Sequence, residues 1–68
     1  GEFESEVRSR LTERQEEVIR TAYFAGFFDW PRKSNGQEVA EMLGVTQPTV
    51  NRHVRAGERT LFGLLFDG

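Results

Sequence analysis

The apolar positions of the chain fall into three separated groups, and the spacing within each is helical rather than alternating. Val18, Ile19, Ala22 and Tyr23 make the first stripe, with Glu16, Glu17 and Arg20 turned to solvent. Thr12 stands where an N-cap is needed and Gln15, three residues on, completes a capping box, so this helix is predicted to begin near Glu13. Gly26 ends it. The stretch Gly26-Phe27-Phe28-Asp29-Trp30-Pro31 cannot continue a helix, because glycine is costly in a helix interior and the residue before a proline is pushed towards extended geometry. It reads as an aromatic connector, with Phe27, Phe28 and Trp30 expected in the core.

The second group is Val39, Ala40 and Leu43, on a helix predicted over Gly36 to Leu43. Asn35 caps it, and Glu38 complements the positive end of its dipole. Gly44 then supplies the left-handed residue of a tight C-terminal turn, and Val45 returns to the core. In the third group, Val50, Val54, Gly57, Leu61 and Leu64 alternate steps of four and three, which predicts one helix from Gln47 to about Phe66. Thr46 is its expected cap, and Pro48 suits a first turn, where its missing N–H costs nothing. No segment reads as a strand pair. The fold class is all-α, a three-helix helix-turn-helix domain over residues 11–68 with a long C-terminal recognition helix. Residues 1–10 are charged and nearly free of apolar positions, so they read as a tail or the end of an upstream element, with Gly1-Glu2-Phe3 a possible cloning remnant of a longer protein.

A chain of 68 residues is one domain at most, and its stability margin is thin. The absence of cysteine excludes disulfides and thiolate metal sites, and is most simply read as a reducing, cytoplasmic setting. No apolar stretch approaches the ~20 residues of a membrane span, so no membrane partner is expected. His53 is the sole histidine, read as a packing or phosphate-contacting residue, and the carboxylates are scattered over exposed faces. Hence no catalytic centre, metal or cofactor is expected.

A net charge of −2 argues against a nucleic-acid binder until its distribution is considered. Six glutamates crowd the first quarter of the chain, whereas Gln47 to Thr60 carries Arg52, Arg55 and Arg59 against Glu58 alone. Two helices joined by a short glycine turn, the second studded with Arg and Asn, are the arrangement that lays a recognition helix in the major groove of double-stranded DNA. With Val50, Val54 and Gly57 inward, the exposed start of that helix offers Thr46, Gln47, Thr49, Asn51, Arg52 and Arg55 as the DNA-binding candidates. Gln47, Asn51 and Arg55 share one line along the helix and suit base edges. Arg52 is rotated about 100° towards the groove wall, where phosphate is nearer. Arg32 and Lys33 in the connector are candidates for flanking phosphates, and Arg59 lies beyond the usual reach.

The segments Leu11-Thr12-Glu13-Arg14-Gln15, Phe28-Asp29-Trp30-Pro31-Arg32, Glu38-Val39-Ala40-Glu41 and Thr46-Gln47-Pro48-Thr49-Val50-Asn51-Arg52-His53 resemble the C-terminal domain of bacterio-opsin-activator-like haloarchaeal regulators. The resemblance covers about Leu11 to Asp67, and the helix-turn-helix core is also similar to LuxR-type domains and to the DNA-reading region of sigma factors. It implies the output domain of a transcription regulator with a sensory part upstream. Gly57 departs from the pattern, where alanine is more usual, at an expected cost of about 1 kcal/mol. Phe24 departs too, standing at an expected polar position, either exposed or covered by a partner. Leu61, Phe62, Leu64, Leu65 and Phe66 exceed what one buried helix face needs, which predicts a homodimer. The competing reading is a protein-interaction module that contacts transcription machinery or a partner subunit through the acidic first helix and the apolar C-terminal one.

Overall fold

The computed structural model describes residues 1–67 and contains four helices, α1 (Glu2–Arg10), α2 (Glu13–Phe24), α3 (Gly36–Leu43) and α4 (Gln47–Phe66), with no strand among them. α1 lies in the stretch expected as a tail or the end of an upstream element. It buries no residue and has no side-chain cap. Ion pairs from Glu4 to Arg8 and from Glu6 to Arg10, each one turn apart with the acid first, brace it. Val7 and Leu11 are half-buried, and α1 packs only against α4 in quantity.

α2 and α3 begin and end as their local sequence dictates. Thr12 Oγ1 accepts from the Gln15 N–H while Gln15 Oε1 accepts from the Thr12 N–H, and Asn35 and Glu38 repeat the exchange. Both helices stop at a glycine of positive φ, Gly26 at 84° and Gly44 at 69°. In each, the N–H of the next residue reaches back five, Phe27 to Ala22 and Val45 to Ala40, which satisfies an otherwise orphaned carbonyl. These two turns aim the connector and the third core helix.

The core is made of small side chains: Val18, Ala22, Val39, Ala40, Val50 and Val54, with Ala25, Phe27, Leu43 and Val45 packed around them. α4 lies across α1, α2 and α3. Its crossing with α2 is close at Gly57. A Cβ on Gly57 would run into Ile19 Cδ1 and stand 3.2 Å from Ile19 Cγ1, so the residue that weakens the helix by propensity lets the two helices close. α4 passes through Gly57 unbroken.

Three expectations of burial are corrected. Trp30 is 96% exposed and Phe28 is exposed as well, because, of the connector rings, only Phe27 packs on the core of valines and alanines, while Phe28 lines an apolar groove beside it. Tyr23 is 61% exposed, lying on the rim of its stripe with Val18 and Ala22 at the centre. Phe24, expected to be either exposed or covered by a partner, is exposed, with its ring edge-on to Tyr23 at 5.2 Å.

Candidate nucleic-acid interface

Thr46 takes the N-cap position of α4 with extended backbone, yet its side chain caps nothing. Its hydroxyl instead pairs with that of Thr49 at 2.9 Å. The expected side-chain cap is therefore absent, and because Pro48 has no N–H, the donors left at this helix start belong to the backbone around it. Such donors suit a phosphate. Thr49 is half-buried, with its hydroxyl already engaged.

One turn further, the predicted row is present. Gln47, Asn51 and Arg55 are all exposed and line one side of a shallow hollow of about 460 Å³. Its other side comes from elsewhere in the chain, namely Gly36 at the start of α3 and Arg32 of the connector. Arg32 is held there twice. Its Nε donates to the Phe27 carbonyl at 2.9 Å, and its guanidinium lies 4.4 Å over the Phe27 ring, leaving the two terminal nitrogens without a protein partner among the described residues. Arg52 is exposed outside the hollow, as its rotation on the helix requires. Lys33 is not part of the hollow; its ammonium sits 3.8 Å from Asp29. Arg59 turns away into a separate depression beside Arg10. His53 is half-buried.

Glu58 was not singled out by the sequence, although it lines the hollow beside Arg55. The signal was available: it lies seven residues beyond Asn51 and three beyond Arg55, on the same helical line.

The charge pattern explains how an acidic domain keeps a basic face. Arg8, Arg10, Arg14, Arg20 and Lys33 each lie within 4 Å of a carboxylate, whereas Arg32, Arg52, Arg55 and Arg59 make no ion pair among the described residues. Three of these four free guanidiniums surround the start of α4 and the hollow. The basic character is therefore local to these guanidiniums and not a net charge of the helix-turn-helix, since α3 and α4 together carry Arg52, Arg55 and Arg59 against Glu38, Glu41 and Glu58.

Residues 11–63 match the family described as HTH DNA binding domain. The chain belongs to that family, in its bacterio-opsin-activator type. It is 43% identical over 65 residues to a protein of Haloferax volcanii described as a transcriptional regulator, covering 96% of this chain and 11% of that protein. To the bacterioopsin transcriptional activator of Halobacterium salinarum it is 35% identical over 65 residues, covering 96% of this chain and 10% of the relative. To the transcriptional regulator NarO of Haloferax volcanii it is 38% identical over 60 residues, covering 88% and 28%. The chain thus spans about a tenth of the length of the first two relatives. No solved structure matches it. As a member of this family the chain is a DNA-binding domain of the transcription-regulator type.

Proposed function

We propose that the domain binds double-stranded DNA in a sequence-specific manner as the output part of a cytoplasmic transcription regulator whose sensory part lies upstream, and that it performs no catalysis. The observation that carries this reading is the set of unpaired guanidiniums around an exposed polar row on α4. Gln47, Asn51 and Arg55 read base edges, adenine through the amides and guanine through the guanidinium. Arg52, Arg32 and the start of α4 at Thr46 and Thr49 hold phosphates, with Lys33 at the periphery. The test is selection of duplexes from a random pool, followed by binding isotherms on the selected duplex and on random duplex at several salt concentrations. A preferred site emerges, and the salt slope corresponds to about two to four phosphates per domain. Arg52→Ala weakens all duplexes alike and lowers that slope by about one. Equal affinity for every duplex would overturn the reading in favour of an interaction module.

The same domain pairs with a second copy of itself. An apolar groove of about 450 Å³ runs between α1, α2 and α4, lined by Val7, Leu11, Ile19, Tyr23, Leu61 and Phe62. Phe66 continues it, 77% exposed and 6.4 Å from the Phe62 ring. A surface of this kind is rarely left open in a soluble monomer. A two-fold pair sets the two recognition helices about 34 Å apart and predicts a palindromic site. Sedimentation gives a dimer at high micromolar concentration in dilute and in molar salt; a monomer under both conditions contradicts it.

A further inference from the structure

Gly36 is the first helical residue of α3 and is buried. What lies over it is neither core hydrocarbon nor backbone. A Cβ at this position would stand 3.1 Å from Gln47 Nε2, 3.4 Å from Gln47 Cγ and 3.6 Å from Asn51 Oδ1. Backbone conformation does not require the glycine, since the positive-φ glycines are Gly26 and Gly44. Helix formation is no better served, because alanine is the stronger helix former. The one thing the missing side chain provides is space beneath two carboxamides.

We propose that Gly36 is a positioning residue for base reading: the first turn of α3 is the seat on which the Gln47 and Asn51 amides rest, and that seat sets the domain's base preference. The inference rests on the reading that α4 contacts base edges. A carboxamide pairs bidentately with adenine only when its donor and acceptor are presented in the right plane, and contact geometry of this kind must be held to about 10–20°. Gln47 is a long side chain on the exposed opening turn of a helix, where it would otherwise sample many rotamers. Backed by Gly36, it has one wall fixed before DNA arrives. A methyl group at this place is closer to Gln47 than ordinary van der Waals contact allows, and the amide is the part free to move. The fold therefore absorbs the substitution at the expense of the reader.

The test is Gly36→Ala in the whole domain, measured in three ways. Circular dichroism gives an unchanged helical signal and an equal or higher thermal midpoint. In the free protein, the side-chain NH2 resonances of Gln47 and Asn51 shift in nitrogen-15 correlation spectra, while those of Gln15 and Gln37 stay in place. Preference for the selected duplex over its single-base variants falls about five- to tenfold, with affinity for random duplex within about twofold of the parent. Introduced into Gln47→Ala/Asn51→Ala, the same change has no further effect on preference. Unmoved amide resonances overturn the seat. Shifted amides with intact preference, or a residual effect in the background lacking both amides, overturn its role in reading. If the parent domain shows no sequence preference, the reading role falls with the proposed function, while the resonances still decide whether the seat exists.

Discussion

Asn51→Ala and Arg55→Ala each reduce discrimination between the preferred duplex and its single-base variants by about 1–3 kcal/mol, which is roughly five- to a hundredfold or more. The loss is confined to one base position for each residue. Both side chains are exposed, both line the hollow, and neither makes a side-chain hydrogen bond within the protein among the described residues, so their polar atoms are free for a partner. Arg55 is the stronger case, because its guanidinium lacks an acidic partner despite having Glu58 one turn away. Binding isotherms for the two variants on the preferred duplex and its variants give the ratio, with circular dichroism as the folding control. An unchanged ratio in both means that α4 does not read bases.

Val50→Asp abolishes the fold. Val50 has no exposed surface and lies with Val18, Val39 and Val54 where α4 meets the other helices. No buried polar group is present there to receive a carboxylate. Burial of an unpaired charge costs several kcal/mol, and a domain of this size has little more than that to lose. The variant shows no cooperative thermal transition and loses most of its helical circular dichroism at 25 °C. Leu65→Asp, on the same helix but exposed, keeps both. A cooperative transition in Val50→Asp within a few degrees of the parent would show that the core does not form as described.

The features legible in the sequence are those whose chemistry is complete within a few residues. The capping boxes at Thr12 and Asn35 and the turns at Gly26 and Gly44 are of this kind, because donor, acceptor and backbone conformation all lie within one turn. The row of Gln47, Asn51 and Arg55 was legible for a related reason: helical period alone fixes which residues share a line. Trp30 misleads, since hydrophobicity states a preference for burial but not which of the connector rings packs on the core. α1 carries no apolar stripe to announce it, and its signature is the acid-to-base spacing of Glu4, Arg8, Glu6 and Arg10. At Thr46 the choice between a backbone donor and the Thr49 hydroxyl depends on rotamers that spacing does not encode. Gly36, Arg32 and Phe27 belong to the hollow only because the chain folds them against α4, and Gly57 is explained only by Ile19 on another helix.

α4 is a single helix of 20 residues, about 30 Å long, and its middle belongs to two surfaces at once. Val54 and Glu58 border both the polar hollow and the apolar groove. The helix is therefore one continuous element shared by the two surfaces, anchored in the core at Val50 and Val54. A body seated against Phe62 and Phe66 would act on Gln47 and Asn51 only so far as it changed the tilt of the whole helix. Linkage makes any such effect reciprocal: whatever factor occupancy of the groove adds to DNA affinity, DNA adds to occupancy of the groove.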